Sequence, residues 1–436
     1  MDIFNSSEYK RSRKAYVTQC TLEHLIVILV GDAFLAKLLS HLGLSDAMVG
    51  IITTFASVAF VFQLLSILLV QSKMSTKKIV IISDVISQGS FMLAFFVPLM
   101  PIPSIARKFL VMAAVMTGHA AKCLILTLYF KWGNTYVPED NRAVFSANKE
   151  CVSLICGIAM SAIMGYIIDK FEGIGNITGG FLFIAVTMLI INVANFISLM
   201  MIKDESYEAR ESMRVKTSEV IEHIFSNKLF LRFTLIGFIS ATAGGMIGGF
   251  VGIYKIKDLA MSIFLVNVIN ILADFLRMGV SRPFARYSQK YGYIRGLQLA
   301  EIMIAVCYAL IIFTTPKTWW LVIPYALLTA VSAAGSYQNS FNIAYTLLPQ
   351  KYMAQAMAIR RTAVAIVQFI SALIAGKVLS IIQTNGNMIF GIHIYAQQFL
   401  ACIALPLYII MIVLQQKIVI EPLEKRRSED VEEKIV

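Results

Sequence analysis

The stretch ITGGFLFIAVTMLIINVANFISLMMI, residues 177–202, runs for 26 residues without a charge, and KDESYEARESMRVKTSEVIEHIFSNK, residues 203–228, follows it densely charged. As a helix rising about 1.5 Å per residue, the first stretch is longer than the roughly 30 Å hydrocarbon core of a bilayer. Working outward from it, comparable apolar runs recur in both directions. Spans are expected at 17–40, 46–71, 78–100, 108–131, 150–169, 177–202, 229–254, 260–281, 294–315, 318–346, 358–382 and 392–416. The interruption at 203–228 is the longest polar one and divides these twelve helices six and six. The expected organisation is an N-terminal six-helix half with its tail (1–202), a cytoplasmic linker (203–228), a C-terminal six-helix half (229–418) and a second tail (419–436). The mixed charges of the linker suit either a short amphipathic helix at the membrane surface or a solvated loop.

Composition agrees: 58% of the 436 residues are hydrophobic, 15% are charged, and mean hydropathy is +0.73, so lipid is the solvent for most side chains. A net charge of +12 invites a nucleic-acid reading until the positive residues are located. With a cytoplasmic N-terminus, inner segments hold 29 of the 38 Lys and Arg and outer loops only six, the asymmetry of an integral multi-pass protein with both termini inside a cell membrane. Nucleic acid is not needed to explain the basic balance. Lys10, Arg11, Arg13 and Lys14 resemble the start of a signal peptide, but no A-x-A-like site follows, so the first span is read as uncleaved. Six cysteines, in no CxxC pair and near no histidine cluster, speak against disulfide frameworks and metal sites.

Two short matches hint at duplication. Leu42-Gly43-Leu44-Ser45 before the second span is matched 217 residues later by Leu259-Ala260-Met261-Ser262 before the eighth, and Pro138-Glu139 after the fourth by Pro349-Gln350 after the tenth, 211 residues on. Their shared order points to a parallel repeat of a six-helix unit.

Here the sequence resembles the major facilitator superfamily, through LGLSDAMVG at 42–50, WGNTYVPEDNR at 132–142 and NKLFLRF at 227–233. The loop ARYSQKYGYIR at 285–295 is similar to a degraded copy of the family's Gly-x-x-x-Asp-Arg-x-Gly loop: Lys290 and Gly292 match, whereas Ala285 and Gln289 replace the Gly and Asp. The first-half counterpart, VQSKMSTKK at 70–78, keeps only Lys77 and Lys78, and the fifth span has no Gly-Pro. The resemblance implies an all-α membrane protein of twelve transmembrane helices in two pseudo-symmetric halves, with the first and fourth helices lining a central cleft.

An ionisable side chain in a span is either sheltered or used. On a continuous first helix Asp32 lies roughly 22 Å in and Glu23 about 9 Å, on opposite faces at about 100° per residue. Asp32 is then the central candidate for substrate binding or proton coupling, with a structural ion pair as the alternative. Glu23 and His24 fall nearer the interface. His119 and Lys122, three apart on the fourth span, share a face, and Lys122 can pair with Asp32 either as a switch or as a permanent link between helices. Asn267, Asn270, Asp274 and Arg277 form a stripe on the eighth span, where Asp274 and Arg277 can satisfy one another. Gln338, Asn342 and Tyr345, with Asn339 beside them, make a polar face on the tenth span suited to a solute rich in hydroxyl or amide groups, or to interhelical packing. Gly244, Gly245, Gly248 and Gly249 permit close helix approach, while Asn192, Asn195, Glu301, Gln397 and Gln398 fall on peripheral helices and read as structural.

The expected function is a secondary active transporter for a small polar solute, a sugar or related metabolite among the candidates, working by alternating access and driven either by a proton or by exchange. No cofactor is expected, and a single chain is compatible with the architecture. No phosphate-binding G-x-x-x-x-G-K-[ST] loop is present for ATP-driven transport. A polytopic membrane enzyme is the weaker alternative without HExxH or GxSxG. A sensor that binds without turnover is the other alternative, favoured by the degraded loops.

Overall fold

The computed structural model describes residues 6–65, 74–137, 142–204, 217–389 and 391–423. Among them, eleven helices are long and apolar enough to cross a membrane, the first at Asp46–Leu65 and the last at Ala396–Leu423. The remaining expected span, 17–40, is broken. Helix α1 (Ser7–Leu29) and helix α2 (Asp32–His41) meet at Val30 and Gly31, where Gly31 is extended at φ −85° and ψ 165°. Asp32 is therefore the first residue of a new helix and not a residue deep in a continuous one, and the opposite-face argument for Glu23 and Asp32 lapses with the continuity it assumed. The local physics favours the break: glycine holds a helix weakly, and an aspartate is stabilised at a helix N-terminus by the macrodipole.

The chain continues with α3 (Asp46–Thr53), the short α4 (Phe55–Val58) and a 3₁₀ segment to Leu65, then α5 (Thr76–Phe96), α6 (Ser104–Asn134), α7 (Arg142–Gly173) and α8 (Ile177–Met201). After the linker come α9 (Thr217–Ser226), α10 (Lys228–Ile247), α11 (Val251–Ile253), α12 (Ile263–Tyr291), α13 (Tyr293–Phe313), α14 (Val322–Leu347), α15 (Gln350–Thr384) and α16 (Ala396–Gln415). A minimal antiparallel hairpin between the last two pairs Met388 with His393. Side-chain oxygens start many of the helices: Ser6, Ser45, Ser75, Asn176 and Asn227 each accept from a backbone N–H of the first turn of α1, α3, α5, α8 and α10. Such caps satisfy donors that lipid cannot.

Two compact units result, one of Met1–Arg214 with Lys255–Val268, the other of Val215–Tyr254 with Ile269–Val436. The internal repeat is visible in their geometry. Helices α5 and α13 both contain 21 residues, and both ends of α13 lie 217 residues after those of α5 (76 to 293, 96 to 313). The left-handed turn residues Gly43 (φ 73°) and Ala260 (φ 51°) stand at the same offset.

In the first unit the core packs Tyr16, Ile79, Val80, Leu128, Trp132, Tyr136 and Leu199. Gly133 allows this, because a Cβ there would lie 2.1 Å from the Tyr16 ring. The segment Lys255–Val268 is held to the same unit by Lys257–Asp46 at 2.8 Å and by the Asp169 carboxylate, which accepts from the Ile263 and Phe264 N–H groups at 3.2 and 2.9 Å. At the end of α8 the chain is fastened: Lys77 Nζ donates to the Met200 and Ile202 carbonyls at 2.6 and 2.7 Å, and Trp132 and Tyr136 donate to the Lys203 carbonyl. The Lys203 ammonium meets Glu8 at 2.7 Å, and the Lys77 N–H donates to Asp204.

In the second unit the core gathers Phe230, Phe233, Ile236, Leu297, Tyr308, Ala401 and Met411. Of the four clustered glycines, Gly245 is the one at a backbone crossing, where a Cβ would lie 2.3 Å from the Gln368 carbonyl of α15. Large apolar side chains such as Ile155, Ile190 and Phe313 are left exposed, as a lipid-facing surface requires.

Candidate coupling and solute site

The polar groups of the first unit converge on α1, α5, α6 and α8. Glu23 of α1 and Lys122 of α6 form an ion pair at 3.0 Å with 19% and 28% of their side chains exposed. Lys122 thus has a partner one helix break away from the Asp32 that the continuous-helix reading offered. The pair is extended along α1 by Gln19, whose amide donates to Glu23 at 3.4 Å and accepts from the Tyr129 hydroxyl, which also contacts Cys20 Sγ at 2.7 Å. Lys149 lies over the Tyr16 ring at 5.2 Å, and Thr21 meets Ser153 at 3.2 Å. Polar side chains of α1 thus meet α6 through Gln19, Cys20 and Glu23, and α7 through Thr21.

Asp84 of α5 is close enough to feel the charges of both Glu23 and Lys122. It is buried, and its two oxygens accept from the Gln88 amide at 2.9 Å and the Asn195 amide of α8 at 2.6 Å. His119 does not join the pair: its ring packs edge-on against Phe91 of α5 at 4.8 Å. His24 lies against Gly157 of α7, where a Cβ would come within 2.9 Å of the imidazole.

The other expected residues separate. Asp274 and Arg277 pair with each other at 3.5 Å, each about a third exposed (38% and 31%). Asn267 donates to the Ser161 carbonyl at 3.0 Å. Asn342 is half-buried, and Asn339 is buried beside Gly296 with its amide nitrogen unpartnered. The side chains of Asp32, Gln338 and Tyr345 lie outside the described residues.

Sequence reasoning passed over three residues the fold makes prominent. Asp84 sits in an apolar run with its Asn195 partner 111 residues away, although Asp84 and Gln88 are spaced as helical neighbours. Gln19 lies at the polar start of the first span. Arg360 fell at a loop boundary because its span was begun at 358, whereas α15 begins at Gln350. Its guanidinium stacks on the Phe233 ring at 3.9 Å, donates to the Phe233 carbonyl at 3.3 Å and acts electrostatically on the buried Glu301 of α13.

Outside the spans, the hydrogen bond and charge of Lys203 hold Glu8 below the usual carboxylate range, and Glu8 raises Lys203 in turn. Among the described residues no three His, Cys, Asp or Glu side chains gather as a metal-binding group. The site thus offers a half-buried ion pair, a second carboxylate held by amides, and hydroxyl and amide groups in line along α1.

No curated protein sequence matches the chain. Among solved structures it is similar to a mutant form of the nucleoside transporter NupG, with TM-score 0.73 at 12% identity over 93% of this chain and 99% of that one. It is also similar to the POT family transporter PepTSo, TM-score 0.68 at 11% identity over 94% and 98%, and to a D-xylose-proton symporter, TM-score 0.67 at 12% identity over 95% and 98%. These likenesses are of fold. The sequence itself matches the profile of the Major Facilitator Superfamily over residues 27–372, most of its length, and with the duplicated six-helix halves the chain belongs to that superfamily.

Proposed function

We propose that the protein is a secondary active transporter that moves a small polar solute by alternating access and couples the movement to protons through the Glu23–Lys122 pair. The observation that carries this reading is the pair itself, an acid and a base from α1 and α6 at 3.0 Å with part of each side chain exposed. A permanently sealed pair would only orient helices. A partly exposed one can be opened by a polar solute or a proton, and the carboxylate then prefers a different protonation state in the paired and unpaired conformations, as coupling requires. The fold neighbours, which include nucleoside, xylose and POT family transporters, lend support to a polar organic solute.

In this reading Asp32, at the start of α2, is a second group for the coupling ion. His119, Asp274, Gln338, Asn342 and Tyr345 belong to the solute-contacting set, with His24, Arg277 and Asn339 supporting them. Both termini are placed in the cytoplasm, a reading supported by the concentration of basic residues in the segments on that side.

The test compares Glu23→Gln and Asp32→Asn with the parent in proteoliposomes, using solutes of the nucleoside, pentose and dipeptide classes. Glu23→Gln is expected to abolish uphill accumulation under a proton gradient while sparing solute exchange at equilibrium. Accumulation equal to the parent in Glu23→Gln would remove the pair from coupling, and loss in Asp32→Asn alone would move the coupling group to α2.

A further inference from the structure

The same buried device occurs once in each repeat. Asp84 is the ninth residue of α5 and Glu301 the ninth residue of α13, the two 21-residue helices that correspond at an offset of 217 (84 to 301). Each acid faces a wholly buried amide on the last helix of its own half, Asn195 of α8 or Gln415 of α16. Nine residues from a helix start is about 12 Å of rise, well inside a hydrocarbon core. Neither acid is in an ion pair among the described residues. Asp84 contacts only neutral amides, with Glu23 of α1 and Lys122 of α6 as its nearby charges and His119 of α6 on the adjoining face. Glu301 has Arg360 of α15 as its nearby charge and Tyr408 of α16 as the titratable group that feels it.

An ionised carboxylate held only by neutral amides in such a setting is costly, and the hydrogen-bond accounting shows where the strain falls. With both amides donating to Asp84, the Gln88 and Asn195 carbonyl oxygens are left buried without partners, and so is the Asn192 oxygen one turn before Asn195. At the second site Glu301 Oε2 and both polar atoms of the Gln415 amide lack partners although they face one another. The Asp84–Asn195 distance of 2.6 Å is short for N–H···O and ordinary for O–H···O. Turning the Asn195 amide by half a rotation exchanges its nitrogen and oxygen in nearly the same volume. Its oxygen then accepts from a protonated Asp84.

We propose that Asp84 and Glu301 are a duplicated pair of proton-binding sites, each a carboxylic acid that donates its hydrogen to the amide oxygen of Asn195 or Gln415 on the sixth helix of its own repeat. The proton comes from water and neutralises the carboxylate, and no other bond is made or broken. Each site clasps the third helix of its half to the sixth, and ionisation releases the clasp. Asp84 neighbours the Glu23–Lys122 pair, but this assignment does not depend on that pair's role in transport.

The test is infrared difference spectroscopy on the purified full-length protein in lipid nanodiscs, titrated from acid to alkaline pH with and without sodium chloride. Two protonated-carboxyl components are expected at neutral pH, one lost in Asp84→Asn and the other in Glu301→Gln. Asn195→Leu should retain the Asp84 component but shift it to higher frequency, because its acceptor is gone, and this variant serves if Asp84→Asn does not fold. A native state that holds more protons than the unfolded chain loses stability as pH rises, so the Tm of the parent should fall toward alkaline pH more steeply than that of the Asp84→Asn, Glu301→Gln double variant. Absence of a protonated-carboxyl band at neutral pH, a band indifferent to these variants, or its removal by sodium would each overturn the assignment.

Discussion

Removing either half of the Glu23–Lys122 pair should destabilise the protein, and removing both should cost less than the sum of the two single removals. At 3.0 Å the gross attraction is about 5 kcal/mol at an effective dielectric of about 20, and both side chains are less than a third exposed. Most of that is offset by desolvation. Stranding one partner of a fully buried pair costs about 3–5 kcal/mol, whereas a wholly exposed pair contributes about 0.2–1 kcal/mol. The intermediate exposure here places Lys122→Gln or Glu23→Gln at about 2–3 kcal/mol each, with a coupling energy of about 1.5–2 kcal/mol in the double-mutant cycle. The assay is reversible unfolding in mixed micelles at neutral pH, repeated at high salt to show that the term is poorly screened. A coupling energy under about 0.5 kcal/mol would mean the two side chains do not hold one another, and the switch role assigned to them would fail with it.

Gly245→Ala should lower stability by about 1–3 kcal/mol, read as a drop in detergent Tm, because the new methyl meets the Gln368 backbone and not a side chain that can turn away; an unchanged Tm would show that α10 and α15 do not cross there. In a background lacking the exposed Cys156 and Cys402, cysteines at the exposed Ser226 and Thr384 should label from the cytoplasm and from outside respectively, and labelling from one face only would break the topology. The Glu8–Lys203 contact has a lowered acid and a raised base, so its contribution is present between their ordinary values of 4.5 and 10.5, is lost on the acid side as Glu8 protonates, and is lost on the alkaline side above 10.5. Glu8→Gln should therefore differ slightly from the parent at neutral pH and low salt and not at all at about pH 2 or in about 1 M salt, where the pair is protonated or screened; a difference that persists in acid would assign the effect to packing.

The helices were legible because the lipid solvent demands long apolar runs, and the repeat because one of its two short matches, Leu42 with Leu259, sits at the 217-residue offset seen for whole helices, with the other close to it at 211. The Gly31 break was not legible: hydropathy averaged over a span is insensitive to one residue of extended backbone. The error propagated to the site, since depth and face were both assigned to Asp32 and Glu23 on a helix taken as continuous. Partners on different helices were hidden for another reason. Nothing local to Asp84 announces Asn195, and only the packing of α5 on α8 joins them. Arg360 was obscured by a boundary eight residues late, which placed a side chain of the third helical turn at the edge of a loop. By contrast, the Asp274–Arg277 contact was readable because it is local, three residues apart on one helix.

The fastening at the end of α8 has a mechanical consequence. The chain leaves the first unit at Lys203 and Asp204, where two carbonyls of the last turn are held by Lys77, the Lys203 carbonyl by Trp132 and Tyr136, and its side chain by Glu8. Tension arriving through the linker is borne there by bonds to α1, α5 and α6, loaded together, so it pulls on the bundle as a rigid body instead of unravelling the last turn of α8. A load applied to the chain at Asp204 is thus passed to the bundle at a reinforced cleat and is not spent on local unwinding.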